Sequence, residues 1–227
     1  MRTILFILLS IISLVSYGQT RCTFENIFPV TTGITKFKAM TTIASLNNIK
    51  VDEKFELHNR LLNINRWYKD EYLKGDSVFL STLSYDYTYH NCLGGDKTRL
   101  NLRFADDKLY RLTITSDFPN SKFGKCMENY NSLIAIFKNY FTDWTEFDWK
   151  NTFSNEQIGE GYYFFPTKED IRDNVKLNFL SIGYEVVYEY KWDDYKQDYA
   201  RTGKVDRYSI KIVYYNLKGT KLTVDGY

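Results

Sequence analysis

Apolar and polar residues alternate in two neighbouring segments near the middle of the chain, Thr98–Phe104 and Leu109–Thr115. The apolar positions are Leu100, Leu102 and Phe104 in the first segment and Tyr110, Leu112 and Ile114 in the second. A period of two places every second side chain on the same face of a strand. The pattern therefore predicts a β-hairpin with one apolar face, turning at residues 105–108.

A helical pattern follows this hairpin. Its apolar residues recur every three or four positions: Cys126, Tyr130, Leu133, Ile134, Phe137 and Phe141. This spacing predicts an amphipathic helix that ends near Phe141 and covers the apolar face of the hairpin. A shorter helix is predicted over Lys36–Asn47, with Thr35 as its N-cap.

Strand patterns occupy most of the remaining chain. Ser77–His90 predicts a long strand that completes a three-stranded meander with the hairpin, and the C-terminal third alternates again, apart from a polar excursion at Trp192–Gly203. The predicted fold class is α+β: antiparallel sheets built from hairpins, with short helices on one face and two similar αβββ halves. The predicted organisation is a signal peptide (1–18), an αβββα module (19–141) and a β-rich module packed on it (142–227), with one continuous domain as the alternative.

The first eighteen residues have the composition of a secretory signal peptide. Arg2 supplies a positive charge, Ile4–Val15 is almost wholly apolar, and Ser16-Tyr17-Gly18 offers small residues for cleavage before Gln19. The apolar run is too short for a stable membrane span. Arg21 precedes Cys22 where a lipidated cysteine requires a small residue. We therefore expect a soluble exported protein, periplasmic or secreted, with no stable membrane span after cleavage.

Three cysteines follow the predicted cleavage site, and export permits disulfides. An odd number allows at most one bridge within the chain. Cys92–Cys126 is the favoured pair, because Cys92 precedes the hairpin and Cys126 opens the helix that covers it. Pairing of Cys22 with either cysteine, and three free thiols, remain open alternatives.

The charged and catalytic residue types exclude several functions. Thirty basic residues balance 28 acidic ones, without the basic excess of a nucleic-acid-binding protein. Two histidines are too few for a His-rich metal site. The weak candidates are a His90/Cys92 nucleophile pair, a Ca²⁺ site at Asp193, Asp194 and Asp198, and a glycosidase-like pair at Glu185 and Glu189. A structural role is the favoured interpretation of each, so we predict no catalytic residue, cofactor or metal ligand.

Aromatic residues make up 18% of the chain, including 20 tyrosines. Tyr85, Tyr87 and Tyr89 would share one face of the long strand, and Trp67 lies in a second aromatic cluster. These four are the candidate residues for stacking on a ligand such as a sugar, although strand tyrosines more often serve packing.

Three features together resemble a known arrangement: Gly33-Ile34-Thr35-Lys36-Phe37 before a short helix, then a long strand, then the hairpin Leu102–Leu112 with its Phe104-Ala105-Asp106-Asp107-Lys108-Leu109 turn. Gly33–Phe141 is similar to the helix–hairpin modules of small exported bacterial envelope proteins of the β-lactamase-inhibitor-protein and outer-membrane-assembly lipoprotein types. The resemblance implies a protein that binds another macromolecule and is not an enzyme. The leading hypothesis is a macromolecule-binding or scaffold module of the envelope with a protein partner; the alternative is a glycan-binding or glycan-acting protein that uses its Tyr-rich strands.

Overall fold

The computed structural model describes residues 22–46, 49–62, 65–68, 71–74, 78–90, 92–150, 157–166, 178–195, 198–218, 220 and 223–224. The predicted signal peptide lies outside these residues. The described helices are α1 (Phe24–Ile27), α2 (Lys36–Ala44) and α3 (Phe123–Tyr140), the last preceded by a 3₁₀ turn at Asn120–Lys122. The described strands are β1 (Ile49–Leu62), β2 (Asn65–Tyr68), β3 (Glu71–Lys74), β4 (Val78–His90), β5 (Lys97–Ala105), β6 (Lys108–Pro119), β7 (Asp143–Lys150), β8 (Gln157–Phe165), β9 (Asn178–Asp193), β10 (Asp198–Asn216) and β11 (Thr223–Val224).

Eight of these strands form one antiparallel sheet in the order β1-β4-β5-β6-β10-β9-β8-β7. The chain runs β4-β5-β6 as a meander, crosses the sheet through α3 to the far edge, and returns as β7-β8-β9-β10. The last strand of this return pairs with β6, from Arg207↔Pro119 to Tyr215↔Arg111. A small second sheet has the order β11-β3-β2.

The predicted α+β class with two αβββ halves is wrong, because the described structure is a largely β fold built on one sheet. The strands β6 and β10 were assigned to different halves, yet they are neighbours in the sheet. Their apolar positions coincide: Ile212 lies opposite Ile114, and Tyr214 lies opposite Leu112. One helix, α3, therefore covers strands from both parts of the chain, and the described residues after 141 contain no α-helix. The boundary predicted at residue 141 stays a prediction.

The predicted β5–β6 hairpin and the long helix are confirmed. The hairpin turns through Asp106 and Asp107, both with positive φ (45° and 67°), as a two-residue turn of type I′ requires. Helix α3 buries the predicted apolar stripe, from Cys126 to Phe137. The shorter helix is also present: Thr35 accepts a hydrogen bond from the Lys38 amide at 3.3 Å.

The core lies between α3 and the sheet. Its centre is a layer of fully buried side chains from four adjacent strands: Leu100, Leu102, Leu112, Ile114, Ile210, Ile212, Leu180 and Ile182. At the C-terminal end of α3, the Phe24 ring from α1 stacks on Tyr140 at 3.9 Å and meets Phe137 and Phe141 edge-on. Each buried aliphatic or phenyl side chain contributes roughly 2 kcal/mol through removal from water. The N-terminal segment is therefore part of the core.

The opposite face of the sheet carries a row of rings across four adjacent strands, β7 to β10 in the sheet order β7-β8-β9-β10. Phe147 contacts Tyr163 at 4.3 Å, Tyr163 contacts Phe179 at 5.8 Å, and Phe179 stacks on Tyr215 at 4.7 Å between ring centroids. The buried Arg111 guanidinium lies 5.0 Å from the Tyr215 ring centroid. Glycine at 161 leaves room for this row, because a Cβ there would meet the Phe147 ring.

Cys22 pairs with Cys92, with their Cα atoms 5.4 Å apart, and Cys126 is a free, buried thiol. The favoured Cys92–Cys126 pairing is therefore wrong, and the structure shows one of the alternatives, Cys22 paired with Cys92. The reason is the orientation of Cys126, which belongs to the inward stripe of α3 and is directed into the core. The segment preceding α1 instead brings Cys22 to the end of β4, where the disulfide joins the N-terminal segment to the sheet.

Candidate functional site

The four residues predicted to stack on a ligand do not form a binding site among the residues that the structure describes. Tyr85 is 4% exposed and belongs to the core, so its ring is not available to a ligand. The side chains of Tyr87, Tyr89 and Trp67 lie outside the described part of the structure. Cys92 is held in the disulfide, which removes the thiol from the His90/Cys92 pair.

The acidic candidates lie on β9, in the turn after it and at the start of β10. The Glu189 carboxylate accepts a hydrogen bond from the Thr202 hydroxyl at 3.1 Å and lies 3.8 Å from the Lys191 ammonium. The Asp193 carboxylate accepts a hydrogen bond from the Tyr195 amide at 3.0 Å, which closes the turn after β9. Three or more acidic, His or Cys side chains that are close enough to hold a metal ion do not occur among the described residues.

The β9–β10 hairpin projects beyond both of its neighbours in the sheet. The last β8–β9 pair in this direction is Gly159↔Glu185, and the last β6–β10 pair is Pro119↔Arg207. The two strands continue to pair with each other as far as Asp193↔Asp198. We call residues 186–195 and 198–206 the ribbon. At the usual rise per residue, its β9 strand extends about 25 Å past the sheet.

One face of the ribbon is aromatic. Tyr188, Tyr190 and Trp192 alternate along β9 and therefore point to the same side, which is the side of the sheet that carries α3. Tyr190 and Trp192 are 48% and 53% exposed, and Tyr195 at the turn is 96% exposed. Large exposed rings in a row are uncommon on a protein surface and are typical of an interaction surface.

The ribbon is held in shape by contacts of its own. The Arg201 guanidinium stacks on the Tyr188 ring at 3.2 Å from the ring centroid, which fixes both side chains on the aromatic face. The Thr202 hydroxyl also donates to the Glu189 carbonyl oxygen at 3.3 Å. Gly203 has a φ of 78°, in the left-handed region that favours glycine, and the pairing register shifts around it. The bulge increases the local twist of the ribbon.

A cleft of about 210 Å³ lies between residues of β7 and β8, at the edge of the sheet. We call it the carboxylate–tyrosine cleft. Its lining includes three acidic side chains, Glu146 and Asp148 from β7 and Glu160 from β8, together with Tyr162. Asp148 lies directly opposite Glu160, and Glu146 lies directly opposite Tyr162. The strand register therefore gathers three carboxylates on one face.

Three tyrosines are influenced by the carboxylates of this cleft: Tyr162, which lines it, and Tyr130 and Tyr184, on which Glu160 acts. Burial and the Glu160 carboxylate, together with neighbouring phenols, raise the pKa of Tyr130 on α3. Burial and the adjacent Glu146 carboxylate raise the pKa of Tyr162, and burial and Glu160 raise that of Tyr184. The Tyr130 and Tyr184 rings meet edge-to-face at 5.2 Å. All three phenols are therefore neutral at physiological pH and able to hydrogen-bond.

Lys138 on α3 lies against the ring of Tyr162, one of the residues that line the cleft. Its ammonium lies 4.2 Å from the centroid of the Tyr162 ring and 5.5 Å from that of Trp144. Both distances allow a cation–π interaction. The rings at this edge of the sheet therefore already hold one ammonium group.

Two of these features were missed in the sequence. The segment Trp192–Gly203, expected to be a polar excursion, instead contains the end of β9 and the start of β10. The sequence signal for these strands is the alternation of Tyr188, Tyr190 and Trp192. The glycines on either side of Glu160 are typical of a loop, whereas Glu160 is part of β8. The gathering of Glu160 with Glu146 depends on the β7–β8 register, for which the sequence contains no local signal.

Comparisons of the chain with protein-family models, with curated proteins and with solved structures find no match. The resemblance over Gly33–Phe141 therefore stays a prediction. Among the described residues, no helix has both the length and the apolar character required to cross a bilayer.

Proposed function

We propose that this chain is an exported protein-binding module, and that the aromatic face of the ribbon is its contact surface. The observation that carries the proposal is the ribbon itself: a paired hairpin that leaves the sheet and exposes Tyr190 and Trp192 on one side. An isolated two-stranded ribbon is only marginally stable in water. Packing on a partner would bury these rings and stabilise the ribbon.

Export is supported by two features at the N-terminus. The sequence of residues 1–18 has the charge and apolar pattern of a cleaved signal peptide. The Cys22–Cys92 pair is suited to an oxidising compartment such as the periplasm or the extracellular space. Both features support a role for the protein in the bacterial envelope or outside the cell.

The composition of the ribbon supports a polypeptide as the partner. Tyr, Trp and Arg are the residue types that most often dominate binding energy at protein interfaces, and the aromatic face presents Tyr190, Trp192 and Arg201. Beyond Glu185 and Arg207 the outer edges of the ribbon have no neighbour among the described strands. Such an edge offers backbone donors and acceptors to an added strand.

A quantitative binding assay tests the proposal. The mature chain, from Gln19, is immobilised and incubated with envelope extract, each retained protein is purified, and its Kd is measured by calorimetry. Two variants are compared with the wild type: Tyr190→Ser with Trp192→Ser, and the control Phe37→Ser, which removes an exposed ring of α2. We expect the ribbon variant to bind at least about tenfold more weakly and the control to bind normally, since interface rings typically contribute more than about 1 kcal/mol each.

Two results would contradict this function. Equal binding by the wild type and the ribbon variant would show that the rings are not the contact surface. Retention of polysaccharide in place of any purified protein, with loss of that retention in the ribbon variant, would favour the glycan-binding alternative, because the same rings are able to stack on sugars.

A further inference from the structure

We propose that two copies of this chain associate through their ribbons, with the outer edge of β9 in one copy paired antiparallel to the same edge in the other. The inference rests on the proposed function for the use of the aromatic face, and adds that two copies present their rings as one surface. Three observations carry it: the regularity of the β9 edge, the charges along that edge and the length of the ribbon.

The two outer edges of the ribbon differ in how well they accept another strand. Both register shifts within the ribbon insert extra residues on β10, around Gly203. The side-chain amide of Asn120 also donates a hydrogen bond to the Val205 carbonyl oxygen at 3.2 Å, at the base of the β10 edge. By contrast, β9 has no inserted residue between Val186 and Asp193, and no described strand pairs with its outer side there. Bulges and covered carbonyls disfavour strand addition, so β9 is the edge that accepts a partner.

The geometry of a sheet restricts how two identical edges pair. Directly opposite residues of an antiparallel pair point to the same face. Two copies related by a two-fold axis perpendicular to the sheet also keep their α3 sides on one side. The register must therefore be centred on one residue that lies opposite itself in the second copy. Rings then lie opposite rings, and charged side chains lie opposite those of the other face.

The register centred on Tyr190 pairs opposite charges. Glu189 lies opposite Lys191 of the second copy, and Lys191 lies opposite Glu189 of the second copy. On the aromatic face, Tyr188 lies opposite Trp192 of the second copy, so three rings from each copy form one row. Aromatic pairs and opposite-charge pairs across strands both stabilise a sheet.

Other registers lose these contacts. A register centred on Glu189 places two glutamates opposite each other, and one centred on Lys191 places two lysines opposite each other, which destabilises the pairing. A register centred on Trp192 shortens the pairing to the last three residues of β9. The charge pattern of β9 therefore selects Tyr190 as the centre.

The length of the ribbon fits the same register. With Tyr190 at the centre, Tyr195 at the exposed turn lies opposite Glu185 of the second copy, where the pairing of β8 with β9 begins. The ribbon of one copy therefore ends where the sheet of the other copy starts. A register centred on Tyr188 would instead place Lys191 opposite Glu185, at an edge that β8 already occupies.

The two charged side chains are accessible for pairing between copies. Within one chain, the Lys191 ammonium lies 3.8 Å from the Glu189 carboxylate, and the Lys191 side chain is 66% exposed. An exposed ion pair of this kind contributes little to stability. Both side chains are therefore able to exchange this contact for one across the interface.

Sedimentation velocity of the mature chain tests the association. The paired region is smaller than a standard protein interface, so the concentration series extends from about 1 to about 200 µM. We expect a reversible equilibrium between monomer and dimer. Glu189→Lys places lysines opposite each other, and Lys191→Glu places glutamates opposite each other, so each variant alone should dimerise at least about tenfold more weakly.

Mixing the two variants makes the test specific. In a heterodimer of Glu189→Lys with Lys191→Glu, both facing positions again carry opposite charges, so the mixture should dimerise within about threefold of the wild-type affinity. Misfolded variants cannot produce this recovery. Lys204→Glu, an exposed substitution on β10, is the matched charge reversal and should dimerise as the wild type does.

The proposal is overturned if the wild type stays monomeric throughout the series, if both single variants dimerise as the wild type does, or if their mixture stays monomeric. These substitutions leave Tyr190 and Trp192 in place, so the two proposals fail separately. A monomeric wild type that still binds an envelope protein through its rings would overturn the dimer alone. A wild-type dimer with the expected charge dependence that retains no protein would support the dimer and contradict the proposed function.

Discussion

Removing the Cys22–Cys92 disulfide should lower the free energy of unfolding by about 4 kcal/mol. The bond joins residues 70 positions apart. In the chain-entropy model, a cross-link that closes a loop of this length removes roughly 4 kcal/mol of conformational freedom from the unfolded chain. The folded state also depends on the bond locally, because it anchors the segment that places Phe24 against α3. A loss of this size is a large share of the stability of an ordinary domain.

The perturbation is Cys22→Ala with Cys92→Ala, measured by urea unfolding at pH 7 beside the wild type. Cys126→Ala is the matched control, since it removes a buried sulfur and leaves the disulfide intact. The control should cost about 1–2 kcal/mol through the cavity alone. A loss below about 1 kcal/mol in the double variant would refute the stabilising role of the bond.

Peptide mapping without reduction tests the connectivity itself. Tryptic cleavage places Cys22 in peptide 22–36, Cys92 in peptide 75–97 and Cys126 in peptide 126–138. We expect one cross-linked species that contains the first two peptides. A species that joins 75–97 to 126–138, or three separate alkylated peptides, would contradict the structure.

Three further predictions concern single side chains. Burial raises the pKa of the Cys126 thiol to about 11, so only about a thousandth of this thiol is ionised at pH 8. Iodoacetamide should therefore label Cys126 only after the chain is unfolded in urea. Rapid labelling of the folded chain would contradict the burial of Cys126. Asp107 has a positive φ, so Asp107→Gly should raise the free energy of unfolding by about 0.5–1 kcal/mol in urea titrations. Ser121→Gly is an exposed control outside the hairpin turn. A loss of stability in Asp107→Gly would refute the turn conformation. The Arg99 guanidinium lies 2.7 Å from the Asp86 carboxylate and lowers the pKa of Asp86, so Asp86→Asn should lower the free energy of unfolding by about 1 kcal/mol at pH 7. Because the pKa is lowered in the folded state, this stabilisation is present above pH 3.8 and is lost as the pH falls below that value. A difference in stability between variant and wild type that persists at pH 2 would exclude the ion pair as its cause.

Local patterns predicted β5, β6 and α3 correctly. The period-two alternation of β5 and β6 and the helical stripe of α3 reflect burial on one face, which each segment shows by itself. Pairing between distant segments has no such signal. Tyr215 and Arg111 are adjacent in the sheet although they are 104 positions apart in the chain, and this pairing turned two expected halves into one sheet. The disulfide pairing was missed for a related reason, since it depends on where α1 places Cys22.

The candidate surfaces depend on register and on what remains uncovered. Tyr85 and Tyr190 are both strand tyrosines with polar neighbours in the sequence, yet the first is buried in the core and the second is half exposed on the ribbon. Their difference follows from the ends of the neighbouring strands at Gly159 and Pro119, which leave the ribbon without adjacent strands among those described. The sequence at Tyr190 contains no indication of where those neighbours end.

Site-specific photo-cross-linking tests the central claim, protein binding by the ribbon, most directly. The photoreactive residue p-benzoylphenylalanine replaces Trp192 in one variant and Phe37, an exposed ring of α2, in the other. Each mature chain is irradiated in envelope extract, and the cross-linked species are identified by mass spectrometry. We predict one recurrent protein partner cross-linked through position 192 and absent from position 37. The same set of adducts from both positions, or no protein adduct from position 192, would contradict the account.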